Sequence, residues 1–214
     1  MPAGWAGVVG LVLLALPAWA DAGLAPRDVF PRYVAALQAR DGDAAAALVT
    51  AGSLAREERL RDLALSSPAA TVDALPPADR LAVLRLRHEF TADELRPLSG
   101  ADLVRIAVEE AWSSPKPLAV LTVTGTQEAG DTAVLRVERA GEPVPVRLVL
   151  RREAGQWRLD LVELARGSDA ALAEALALRA VRAGASEDEV IRWVIEDTSG
   201  HLVEKDLWRP LIEE

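Results

Sequence analysis

Residues 118–164 hold four short runs in which apolar and polar residues alternate, and each gap between them has the composition of a tight turn. The runs are Leu118–Thr126, Thr132–Arg139, Val144–Arg152 and Gln156–Leu164. They are separated by Glu128-Ala129-Gly130-Asp131, Ala140-Gly141-Glu142-Pro143 and Ala154-Gly155. Strict alternation at a period of two reads as a half-buried strand, and turn residues at this spacing read as hairpins. The simplest topology is an antiparallel four-stranded meander. Side chains alternate across a strand, so Leu121, Val123, Leu135, Val137, Val144, Val146, Leu148, Leu150, Trp157, Leu159 and Leu161 share one face. Thr122, Thr124, Arg136, Glu138, Arg147, Arg151, Arg158 and Asp160 fall on the other. A sheet with one apolar face must bury it under another layer.

The cover is expected from the helices that precede the sheet. Asp28 is placed to cap a helix with Val29, Tyr33, Val34 and Leu37 on one side, ending near Arg40-Asp41-Gly42-Asp43. Gly42 suits the left-handed position after that helix, and Asp43 suits the cap of the next, Ala44–Val49. Further helices are expected from Ser53 to Leu65, from Pro77 to His88, after the capping pattern Thr91-Ala92-Asp93-Glu94, and from Ser99 to Trp112. Ser113-Ser114-Pro115-Lys116-Pro117 reads as a breaker. After the sheet come a helix from Ser168 to about Ala183 and another opened by Ser186-Glu187-Asp188-Glu189.

The first twenty residues read as an address. Ala6–Leu16 is an unbroken apolar run, too short to span about 30 Å of hydrocarbon as a helix. Pro17 breaks it, and Ala18-Trp19-Ala20 has the small-x-small pattern of a signal peptidase site. The expectation is a signal peptide over 1–20 and a periplasmic or secreted chain after cleavage near Ala20. The chain has no cysteine, so disulfides, thiolate metal sites and a cysteine nucleophile are excluded. With 24 Lys+Arg against 33 Asp+Glu its net charge is -9, which disfavours non-specific nucleic-acid binding.

Two stretches resemble a known family. Tyr33-Val34-Ala35-Ala36-Leu37-Gln38-Ala39-Arg40-Asp41-Gly42-Asp43-Ala44-Ala45 resembles the opening of NTF2-like domains, where a first helix ends at a Gly-Asp pair that caps the second. Gly155-Gln156-Trp157-Arg158-Leu159-Asp160 resembles the Gly-x-Trp-basic-apolar strand near the end of such domains, and Gly130–Leu135 is similar to their sheet hairpins. The resemblance covers roughly 28–164. It implies an α+β fold in which N-terminal helices pack on a bent antiparallel four-stranded sheet, an NTF2-like cone, followed here by C-terminal helices. Residues 71–98 and those after Leu164 fall outside its pattern. The expected organisation is therefore 1–20 as leader, 21–164 as the NTF2-like domain and 165–214 as a helical extension packed on the same domain. The family implies no single function, because its cavity serves enzymes, carriers and interaction modules alike.

No catalytic constellation emerges. His88 and His201 are the only histidines, and the position that would complete a zinc-protease motif after His88-Glu89 is Ala92. No metal site is expected. Ser113-Ser114-Pro115-Lys116 matches Ser-x-x-Lys, but Pro115 and Pro117 disfavour the helix that chemistry needs. The most suggestive cluster is on the polar sheet face, where Arg136, Arg147, Arg158 and Asp160 form a candidate clamp for an anionic ligand. Cross-strand ion pairs on a solvated face explain the same residues more simply. Residues 187–214 carry nine acidic and three basic side chains, and 132–158 carry six basic and three acidic. An acidic C-terminal segment lying across the basic sheet face is one consequence, and a solvated acidic helix is the other.

The expected function is an exported, non-catalytic binding or interaction module. It takes no cofactor, and its partner is a protein or a small molecule, not nucleic acid; a homodimer is compatible with the sequence. The alternatives are a periplasmic carrier of a lipid or small apolar ligand and a cavity enzyme of isomerase, dehydratase or hydrolase type. The carrier would line its cavity with Leu121, Leu148 and Trp157. The enzyme would rely on Asp160 or His88. The space between helices and sheet discriminates them: filled for a module, a dry tunnel for a carrier, a pocket with a buried ionisable group for an enzyme.

Overall fold

The structure, a computed structural model, describes residues 23–112 and 114–212. The expected leader and its cleavage site lie outside the described residues, as does Ser113. The fold is α+β, with helices before and after an antiparallel sheet. Its strands are β1 (Leu121–Ala129), β2 (Thr132–Arg139), β3 (Glu142–Pro143), β4 (Leu148–Glu153) and β5 (Gln156–Leu159). They run in the order β1-β2-β4-β5, and β3 also pairs with β2. Of the expected third run only the part from Leu148 is strand, in β4; β3 falls in the expected turn, and residues 144–147 form a break between the two. Pro145 lies in the break, where a residue without an N–H has no ladder bond to give.

The turns explain the register. Ala140 and Gly141 have φ of 52° and 86°, and Ala154 and Gly155 have 49° and 79°. Two successive left-handed residues are what a two-residue turn of type I′ requires, and they hold Arg139 opposite Glu142 and Glu153 opposite Gln156.

Among the described residues eight helices precede the sheet: α1 (Pro26–Ala39), α2 (Gly42–Ala47), α3 (Ala51–Ser66), α4 (Ala69–Asp73), α5 (Pro77–Glu89), α6 (Ala92–Leu95), α7 (Gly100–Glu109) and α8 (Lys116–Ala119). The long helices match the expected ones, and the capping boxes at Thr91 and Ser99 form as their spacing implies. Around residue 42 the assignment changes. Arg40 takes the left-handed conformation, Asp41 caps α2, and Gly42 is the first residue of α2. Gly42 is required for a different reason: a Cβ there would lie 2.6 Å from the Arg105 carbonyl oxygen, where α7 crosses α2. The expected breaker contains a single helical turn, α8, begun at Lys116 after Pro115, because proline is tolerated at a helix start.

Two apolar cores result. In the first, α1 lies against the sheet with Val29, Phe30, Tyr33, Val34 and Leu37 inward. Leu135, Val137, Leu148, Leu150, Trp157 and Leu159 meet them, so the expected oily face is the buried face. The second core is helical. It joins Leu60 of α3, Val83 and Leu84 of α5 and Leu103 of α7 to two later helices, α9 (Leu161–Ala183) and α10 (Glu187–Ser199). Leu176, Ile191, Ile195 and Leu207 complete it. The two segments outside the family pattern, 71–98 and the chain after 164, therefore pack against each other.

Helix α9 begins seven residues earlier than expected. Its cap is Asp160, whose carboxylate accepts from the Val162 and Glu163 N–H groups at 3.1 and 3.2 Å. β5 consequently stops at Leu159, and the anticipated boundary at 164 falls inside a continuous helix. The acidic C-terminal segment does not cross the basic sheet face: α10 packs on α9 and α5, because its Val190, Ile191 and Ile195 need the helical core.

The tail after α10 is held by one buried guanidinium. Arg87 of α5 is 1% exposed. It donates to the carbonyls of Leu63 (3.1 Å), Ala64 (3.0 Å) and Ser67 (2.5 Å) at the end of α3, and to those of Leu207 (3.1 Å) and Trp208 (2.9 Å) in the tail. A cation at a helix C-terminus is favoured by the exposed carbonyl dipoles there. Leu211 and Ile212 extend the same join with backbone bonds to Ala64 and Leu65.

Candidate functional site

The described structure does not bring the four anticipated sheet residues together. Arg136 and Arg147 line one open groove beside Pro143 and Pro145, and the Arg136 guanidinium packs over Gly125, which leaves it room. Arg158 lies elsewhere, donating to the Ala47 carbonyl at 2.5 Å and to Gln156 at 3.4 Å. Asp160 was expected on the solvated face but is only 5% exposed. It caps α9 and accepts from Arg151 Nε at 2.8 Å, so its carboxylate is committed to holding the strand-to-helix turn. His88 makes a 3.1 Å contact from Nε2 to the Ser199 hydroxyl, tying α5 to the end of α10. Its pKa is lowered by burial, with Lys205, Arg85 and His201 adding repulsion that Glu89 opposes. Among the described residues no group of three acidic or histidine side chains is arranged to hold a metal ion.

A different site lies where the two cores meet. A cavity of about 270 Å³ opens between α1, α3, α5, α7 and α9. Its walls are mostly apolar, with Leu81 and Leu86 from α5, Leu103 and Ala107 from α7, Leu172 from α9, and Trp112. Four polar side chains reach it: Tyr33, Arg56, Glu57 and Arg85. This is the usual make-up of a small-molecule site, an apolar body with a few placed polar groups.

Each polar group has a physical reason for its position. Tyr33 is on the inward stripe of α1, one turn after Val29 and one before Leu37. The residue is 4% exposed, and its hydroxyl, with no protein partner among the described residues, keeps contact with the open cavity. Burial, and then the nearby Glu57 carboxylate, push its pKa up to about 12, so it remains a neutral phenol and a hydrogen-bond donor. Glu57 stands one turn after Ser53 and one before Leu60, both buried, so it falls on the inner side of α3. Its side chain is 19% exposed. Burial raises its pKa above the ordinary value, against the opposing pull of Arg56.

The arginines are held firmly. Arg56 donates to Glu57 Oε1 at 2.6 Å and to Asp79 Oδ1 at 2.9 and 2.5 Å, while Arg59 takes Asp79 Oδ2 at 2.8 Å. Arg85 pairs with Glu89 at 3.3 Å, donates to the Thr198 hydroxyl, and stacks 5.5 Å from the Trp112 ring centre. Phe90 meets the same indole edge to face, with centroids 6.0 Å apart. Trp112 is thus a fixed wall and not a loose flap.

Sequence reasoning missed this constellation. Arg56-Glu57-Glu58-Arg59 reads as a solvated charge run, and the usable signal was the helical spacing that aligns Glu57 with Ser53, Leu60 and Ala64. Comparison with known proteins finds no matching family model, no matching curated protein and no matching solved structure. Among the described residues no helix is long and apolar enough to cross a membrane.

Proposed function

We propose that this chain is an exported, non-catalytic binding module that holds a small molecule in the cavity between its helical and sheet cores. The observation that carries the reading is the Tyr33 hydroxyl, which reaches the cavity and has no protein partner among the described residues. A polar group left open in an apolar pocket is placed to orient a ligand. The cavity beside it has an apolar wall and a rigid indole, which is what a bound organic molecule needs. The scaffold is proposed as NTF2-like, supported by a long first helix laid across an antiparallel sheet. Residues 165–214 then serve as an extension that, with 71–98, builds the far wall of the site. Export is proposed on the leader pattern of residues 1–20.

The small volume disfavours a carrier of long acyl chains. An acid–base enzyme has one specific support, the raised Glu57 carboxyl beside a neutral phenol. Against it, Glu57 is held by Arg56 and no nucleophile faces it among the cavity's described polar groups. A ligand-observed NMR screen of small ring compounds tests the proposal, with Ala107→Phe as the filled-cavity control. Hits that bind the wild type and are lost in the control are expected. Absence of hits at millimolar concentration, or hits indifferent to Ala107→Phe, would overturn it.

A further inference from the structure

Both guanidinium groups on the cavity wall are already ion-paired, Arg56 with Glu57 and Asp79, and Arg85 with Glu89. An anionic ligand would meet no free cation there and would also face Glu57. A purely apolar ligand would strip water from the Tyr33 hydroxyl and give it no partner in exchange. The open hydrogen-bonding capacity of the cavity wall therefore consists of two parts, both on residues that line it. The Tyr33 hydroxyl is a free donor. Glu57 has only Oε1 engaged, by Arg56, so Oε2 is a free acceptor among the described residues. One alcohol group matches both, since it accepts one hydrogen bond and donates another.

Volume limits the rest of the molecule. A dry cavity of about 150 Å³ takes a benzene ring, so about 270 Å³ takes one ring with a short substituent. Trp112, fixed by Arg85 and Phe90, offers an aromatic surface for that ring. We infer that the cavity binds a small neutral alcohol, a single ring carrying one hydroxyl on a short arm, with Tyr33 and Glu57 as the pair that reads the hydroxyl. This rests on the reading of the cavity as a ligand site.

Chemical-shift titration with benzyl alcohol, toluene and benzoate separates the alternatives by charge and hydrogen bonding at nearly constant shape. Benzyl alcohol is expected to bind best, with toluene about three- to ten-fold weaker, the value of one neutral hydrogen bond. Benzoate is expected to be weakest. Tyr33→Phe should bring benzyl alcohol down to the toluene level and leave toluene unchanged. The variant should fold, because the hydroxyl supports no described contact. Benzoate or toluene binding best, or benzyl alcohol indifferent to Tyr33→Phe, overturns the alcohol and leaves the cavity reading standing. Failure of all three ring compounds to bind the wild type overturns both.

Discussion

Arg87 offers the sharpest test of how the C-terminal part is attached. Replacing it with Met keeps the length and apolar stem of the side chain and removes all its donors. Five carbonyls lose a bond, but not equally. The Leu63 carbonyl keeps the Ser67 N–H at 3.0 Å, and the Ala64 carbonyl keeps the Leu211 N–H at 3.4 Å. Ser67, Leu207 and Trp208 have no other described donor. Leaving a buried acceptor unsatisfied costs roughly 1–3 kcal/mol, and the tail can recover part of this by fraying into water. Arg87→Met should therefore destabilise by about 3 kcal/mol, measured as a loss of unfolding free energy in urea at unchanged slope. Hydrogen exchange should rise first at residues 207–212. Arg87→Lys retains the charge and three donors and should lie between. A loss below about 1 kcal/mol, with the tail still protected, would refute the claim that one guanidinium joins α3 to the tail; the threshold is the value of one ordinary hydrogen bond.

Three further outcomes follow from particular contacts. Asp160→Ala should cost about 1–2 kcal/mol through the lost α9 cap, whereas Arg158→Ala should stay within about 0.5 kcal/mol; equal effects in thermal melts would contradict the assignment of Asp160 as the structural member of that pair. Ala154→Asn should stabilise by roughly 0.5–1 kcal/mol, because Asn tolerates the left-handed conformation of this turn better than Ala; a lower melting temperature would count against it. Glu57 is raised above its ordinary value by burial, so the unfolded chain releases that proton at lower pH than the folded one. Stability from this group is then full below about pH 4.5. It falls as pH rises from there through the higher folded value. Glu57→Gln should gain on the wild type as urea midpoints are followed from pH 4 to 8, and a relative loss over that range would contradict the sign.

Local periodicity made the sheet legible. Leu135 and Val137 alternate with Arg136 and Glu138, and Trp157 and Leu159 flank Arg158, so a one-residue slip would turn this apolar set outward. Capping boxes at Thr91, Ser99 and Ser186 marked three helix starts, since their bonds span only three residues. What failed was either a competing local signal or a long-range one. Alternation carried β5 too far, although Asp160-x-x-Glu163 already marks a helix start. Gly42 was explained by a turn when its cause is Arg105, 63 positions away on a crossing helix. The cavity is of the second kind. Tyr33, Glu57, Arg85 and Trp112 come from four segments, and no short-range pattern places them around one space. The four residues of the expected anion clamp are separated for a geometric reason: Asp160 turns inward as a cap, and Arg158 reaches the Ala47 carbonyl, away from the groove that Arg136 and Arg147 share.

The most direct trial is a nitrogen–proton correlation spectrum of the wild-type chain, recorded as small neutral ring compounds are added. Saturable shifts centred on Tyr33, Glu57, Ala107 and the Trp112 indole are predicted. Shifts confined to the Arg136–Arg147 groove, or none anywhere, would mean that the gap between the two cores is a packing defect and not a binding site.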